Sequence, residues 1–291
     1  MKLFFLQSLH VCVRLALYLR TSSLSSILVR IICVCSLLQS VWVSASEGFT
    51  GGVSPSRFEL NSDAGKVVRR SLDIYNLGAV PTKYRVRTVD WTYSEKGQIG
   101  FSDELLENSC RPWVRLEKHE ILVVPSAKKP RDFRFEIQVP ENAEKSECRF
   151  ALMIEGIDND LVTQLGAKQN ISLPINGRIA VIVYLGVNGA KPDIAINRLV
   201  IEDQATASLP AIEVINKGDA HGRLESELTA KTADGKKIEL VVASSPILAG
   251  QTRSLVLAPV GNSNGISYPL AIKGKIYSDN HTYSIDSVVS R

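Results

Sequence analysis

Apolar and polar residues alternate with period two along most of the chain beyond residue 45. Tyr84, Val86 and Thr88 interleave with Lys83, Arg85 and Arg87. Phe133, Phe135, Ile137 and Val139 interleave with Asp132, Arg134, Glu136 and Gln138, and Leu224 and Leu228 with Arg223, Glu225, Glu227 and Thr229. Successive strand side chains point to opposite faces, so each run predicts an antiparallel strand with one face in a core and one in water. Turn signals recur between the runs: Asn76-Leu-Gly78, Asp234-Gly235 and Asn262 to Gly265. No stretch beyond residue 45 has helical periodicity. The pattern predicts an all-β protein.

An internal echo points to two copies of one fold. Asp73-Ile-Tyr-Asn-Leu-Gly78 reappears as Glu213-Val-Ile-Asn-Lys-Gly218, and each follows a strand with a basic–apolar pair, Arg57-Phe58 or Arg198-Leu199. The shared pattern reads as a strand that ends at Asn, with Gly taking a turn that β-branched residues cannot. Gly, Asn and Pro cluster between Gly186 and Pro192. That cluster places a boundary between a first domain, 46–187, and a second, 188–291.

One strand breaks the alternation. Ile179 to Val187 reads Ile-Ala-Val-Ile-Val-Tyr-Leu-Gly-Val, apolar on both faces. It is either a central strand covered on both sides or an edge strand whose second apolar face awaits a partner. Gly156 to Asn176, long and mixed in composition, reads as the loop leading into it.

Residues 1–45 differ in kind. They hold Lys2, Arg14, Arg20 and Arg30 but no acidic residue, and an apolar run from Ile27 ends in the small residues Ser44-Ala45. This reads as an export signal cleaved after Ala45, either with an extended n-region or with a true start near Leu28. The alternative is an uncleaved anchor, for which the apolar run is short. Removing the segment changes the charge. The chain has 34 basic and 30 acidic residues, so the remainder is neutral, 30 against 30. Nothing then favours nucleic acid as a partner.

Three of the five cysteines leave with that segment. Cys110 and Cys148 remain, and in an exported protein an even pair reads as one disulfide. The alternative is two free thiols in a reducing compartment. Two cysteines without neighbouring His cannot complete a tetrahedral metal site. His10, His119, His221 and His281 lack metal-ligand spacing and are expected in the leader, on solvent faces or in turns. Gly261-Asn-Ser263-Asn-Gly265 matches the nucleophile-elbow formula, but both flanks read as strand where the motif needs a strand-to-helix turn. No phosphate loop is present, and neither catalytic site, cofactor nor metal is expected. Asn170-Ile-Ser and Asn280-His-Thr are glycosylation sequons only in a eukaryotic cell, and Lys128 to Arg131 reads as a turn.

Three stretches carry a resemblance: Ser54-Pro-Ser-Arg57-Phe-Glu-Leu60, Ile74 to Tyr84, and Arg178-Ile-Ala-Val-Ile-Val-Tyr184. With Pro112 to Leu116 and Phe133 to Pro140, in this order and spacing, residues 50–187 resemble the periplasmic pilus-assembly (PapD-like) chaperones, and 190–291 do so more loosely. The resemblance implies two immunoglobulin-like β-sandwich domains in the periplasm. It also implies pilus or surface-protein subunits as partners, an outer-membrane usher beside them, and no membrane span in the mature chain. Such chaperones lend the last strand of the first domain to a subunit; here that strand offers Ile179, Val181, Val183 and Leu185. They also hold the subunit's terminal carboxylate with an Arg and a Lys. Arg57 stands at the Arg position, but Ala180 occupies the Lys position, and Arg178, on the same strand face, is the substitute. The Cys110–Cys148 pair is not a common feature of the family. The other reading is a structural or adhesive surface protein that uses the sandwiches as spacers.

Overall fold

The computed structural model describes residues 49–95, 97–157, 177–204, 207–261, 266–279 and 281–291. The expected export segment, the sequon asparagines Asn170 and Asn280, Ser263 and most of the 156–176 loop lie outside them. Ten strands build the first body: β1 (Gly51–Ser54), β2 (Arg57–Ser62), β3 (Val67–Asn76), β4 (Thr82–Tyr93), β5 (Ile99–Ser102), β6 (Val114–Leu116), β7 (Glu120–Val123), β8 (Ser126–Gln138), β9 (Ser146–Gly156) and β10 (Arg178–Val187). The second holds β11 (Ile194–Asp203), β12 (Ser208–Asn216), β13 (Glu225–Lys231), β14 (Lys237–Val242), β15 (Thr252–Pro259), β16 (Leu270–Tyr277) and β17 (Thr282–Val289). A single 3-10 turn, Arg111–Trp113, is the one helical element among the described residues.

Two sheets face each other in the first body. One runs β1-β3-β8-β6, the other β2-β10-β9-β4-β5, with β7 also on β4. The period-two residues fill the space between them: Tyr84, Val86, Phe133, Phe135 and Ile137 are buried, while Arg134 points to water. Each large apolar side chain so placed contributes about 1.5–3 kcal/mol. The second body follows one path, β11-β12-β15-β14-β13-β16-β17, around a separate core that includes Ile212, Val214, Leu228 and Leu257. The chain is all-β, as its alternation predicts.

A third apolar cluster joins the bodies. Val89, Trp91, Ala151, Met153 and Tyr184 of the first pack with Leu248 of the second. This contact explains why β9 and part of β10 are apolar on both faces: one face lines the sandwich core and the other the junction.

Two local expectations are corrected. Lys128 to Arg131 is not a turn but lies within β8, where the ladder to β3 slips between Ser126↔Asn76 and Arg131↔Ile74. Pro130 falls in that irregular stretch, where its missing N–H breaks no ladder bond. Gly78 and Gly218 do not take a left-handed turn, unlike Gly235 (φ 85°) in the β13–β14 hairpin. Gly218 is required for close approach instead. A Cβ there would lie 2.4 Å from both the Asp193 nitrogen and the Lys191 oxygen.

Candidate functional site

β10 is both a central strand and an edge strand. Along its whole length it pairs antiparallel with β9. On its other side β2 runs parallel to it, but only from Arg57, opposite Ile182, to Ser62, opposite Val187. Ahead of Ile182, the Arg178–Val181 backbone has no paired strand on that side among the described residues. Ile182 N–H donates to the Ser56 carbonyl. Strand alternation therefore aims the backbone groups of Arg178 and Ala180 into the same lane, away from β9.

The side chains of this strand correct the sequence reading. Val181, Val183 and Leu185 are fully buried in the first body's own core, and Ile179 is half-buried. These groups already hold the sandwich together and are not free to enter a partner. The other face carries Arg178, Ala180, Ile182 and Tyr184; Ala180 and Ile182 pack at the margin of the junction cluster.

Arg57 and Arg178 are not brought together. Arg57 is level with Ile182, four residues and about 13 Å along the strand from Arg178. The Arg57 guanidinium turns the opposite way, with Nε 2.8 Å from Glu59 Oε1. The companions of that carboxylate come from the second body: Arg223 Nη2 at 3.4 Å and His221 Nε2 at 3.6 Å. Burial alone would raise the Glu59 carboxyl, but the charges of Arg57, His221 and Arg223 outweigh it and hold it below its ordinary value.

His221 is not on a solvent face. Its ring stacks on Tyr184, with centroids 3.7 Å apart and planes 23° from parallel. Its Nδ1 and backbone nitrogen lie 2.5 and 3.1 Å from Glu147 Oε2. Burial pushes the Tyr184 hydroxyl pKa up, against the opposing charge of Arg223. These groups border a cleft of about 800 Å³ between the two bodies. On the other side of the junction Gln251 Nε2 donates to the Tyr93 carbonyl at 2.9 Å, and the Arg253 guanidinium lies 4.4 Å from the Tyr93 ring centre. The sequence reading missed Glu59, His221 and Arg223 as a group, because no short-range pattern links residues of two domains.

Cys110 and Cys148 form a disulfide with both cysteines buried. The segment before Cys110 is further tied to β4 by buried Asp90, which accepts from the Leu106 nitrogen at 2.8 Å and Ser109 Oγ at 2.6 Å. Among the described residues no helix is long and apolar enough to cross a membrane.

No family profile matches the chain, and no curated protein matches it. Solved structures do. The YadV chaperone is 10% identical over 82% of this chain and 100% of its own, with a TM-score of 0.44. The E. coli chaperone DraB is 11% identical over 83% and 100%, at 0.43. A chain from the complex of the Salmonella enterica SafA pilin with the SafB chaperone is 11% identical over 84% and 99%, also at 0.43.

Proposed function

We propose that this chain is a chaperone of the periplasm, which binds fimbrial or other surface subunits by β-strand addition and performs no catalytic step. The observation that carries this reading is the half-open edge of β10. Arg178–Val181 offers backbone donors and acceptors to a lane with no paired strand among the described residues, and the same lane is filled by β2 from Arg57 onward. A segment entering the lane parallel to β10 ends against Arg57. Its terminal carboxylate then meets a guanidinium, the side chain best suited to hold it. The affinity comes from main-chain hydrogen bonds, with Arg178, Ala180 and Ile182 supplying the face beside them. The core-facing Val181, Val183 and Leu185 keep the strand rigid.

The test uses Ala180→Pro. Its N–H points into the lane rather than to β9, so proline removes one lane donor without breaking a β9 hydrogen bond. The protein is co-expressed with fimbrial subunits encoded beside it, and complexes are resolved by size-exclusion chromatography. The expected result is a one-to-one complex with the wild type and its loss in Ala180→Pro, with circular dichroism unchanged. An undiminished complex with Ala180→Pro rejects strand addition at this edge, and no complex with the wild type favours the spacer reading.

A further inference from the structure

The anchor Arg57 is already engaged by a carboxylate of the chain itself. Arg57 and Glu59 lie two residues apart on β2, on the face away from the sandwich core. Their side chains are 50% and 46% exposed, so the pair can exchange with a ligand without a large desolvation cost. Glu59 differs from an ordinary surface acid in having more cationic company than it needs. The second body sets Arg223 and His221 against the same oxygen that Arg57 binds. Tyr184 steadies His221 through the ring stack between them. If Arg57 turns away, Glu59 keeps compensating charge. If Arg57 stays, a ligand carboxylate must compete for it.

We infer that Glu59 is an internal placeholder for the ligand carboxylate on Arg57, and that Arg223 is a reserve counter-charge that makes Arg57 releasable. The inference rests on the proposed role of Arg57 as a carboxylate anchor and adds its regulation. Binding a peptide terminus trades one Arg57–carboxylate pair for another, so the anchor discriminates weakly until the strand edge is also filled. An empty anchor is thereby kept from holding stray acids. The second body gains a part in ligand binding without touching the ligand.

The test is a titration of the purified protein with N-acetyl-L-alanine, followed by NMR of the arginine Nε–H signals, with the corresponding amide as control. The Arg57 signal is identified by its loss in Arg57→Gln. The acid, and not the amide, is expected to move it. Glu59→Gln is expected to tighten acid binding about five-fold, the equivalent of one exposed ion pair. Arg223→Met is expected to weaken acid binding in the wild type and to have no effect in the Glu59→Gln background. An Arg57 signal that ignores the acid in both proteins, equal binding in both, or weaker binding in Glu59→Gln overturns the placeholder. The probe is too short to add a strand, so a gain in Glu59→Gln upholds the placeholder even where Ala180→Pro leaves subunit capture intact and strand addition fails.

Discussion

Asn76 and Asn216, 140 residues apart, make three corresponding hydrogen bonds in the two bodies. Asn76 Nδ2 donates to the carbonyls of Val80 at 2.7 Å and Val123 at 3.0 Å, and its Oδ1 accepts from the Gly78 nitrogen at 3.0 Å. Asn216 Nδ2 donates to Ala220 at 2.8 Å and Ile247 at 2.9 Å, and its Oδ1 accepts from Gly218 at 2.9 Å. Both side chains are fully buried. Each ends a strand, folds the next four residues back over itself and ties that turn to a more distant loop. A buried amide satisfies these backbone groups where water cannot reach them.

Asn76→Ala and Asn216→Ala are each expected to destabilise the protein by about 2–4 kcal/mol, since each removes several buried hydrogen bonds to the backbone at once. Urea unfolding of the two variants checks this. Similar losses are expected because three of the bonds correspond, and a change below about 0.5 kcal/mol in either variant would refute the assignment.

Val183→Asp separates the core role of β10 from a donor role. Val183 is fully buried, and an unpaired carboxylate there has no compensating charge, so a loss above about 4 kcal/mol is expected. Ala180→Pro, three residues away and aimed at the lane, is expected to cost about 1 kcal/mol or less. Thermal melts of the two variants make the comparison, and similar melting temperatures would show that Val183 is not a core residue.

These contrasts mark what is legible in the chain. Period two locates the buried face of Phe133, Phe135 and Ile137, because alternation is a local property of every strand. The Asn-x-Gly echo is visible too. Its cause is not, since the Cβ contacts at Gly218 involve backbone brought in from residues 191–193. The double apolar face of β10 shows in the sequence, but its halves differ only through where β2 starts. Arg57 and Arg178 share a face by alternation, yet face says nothing of distance along the strand, and the two stand well apart. The Arg57–Glu59–Arg223 group spans 164 residues between Glu59 and Arg223, so only the docking of two bodies assembles it.

The same group sets a pH dependence. The Glu59 carboxyl is held below its ordinary value of 4.5 by its cationic neighbours. A depressed folded-state pKa contributes stability that is fully present above the unfolded value and is lost as pH falls through the folded one. The stability lead of the wild type over Glu59→Gln is therefore expected to hold at pH 6 and to shrink as pH drops below about 4.5. Urea midpoints of both proteins between pH 6 and pH 3 measure it. A lead that grows on acidification contradicts the charge arrangement.

The disulfide supports the edge of the first body away from the lane. Cys148 sits near the start of β9, and Cys110 closes the segment that follows β5, so the bond spans 38 residues that include β6, β7 and β8. Cross-linking a loop of that size removes chain entropy from the unfolded state worth about 4 kcal/mol. The fold has other ties at the same place: the Asp90 hydrogen bonds to Leu106 and Ser109, and the Arg149 nitrogen donating to the Asn108 carbonyl at 3.0 Å. These remain when the bond is cut, so the reduced protein is expected to stay folded with a lower guanidinium midpoint. Adding Asp90→Ala to the reduced protein removes the second tie and is expected to release the segment, seen as protease cleavage between Asp103 and Arg111. A reduced protein with an unchanged midpoint would refute the chain-entropy contribution of the bond.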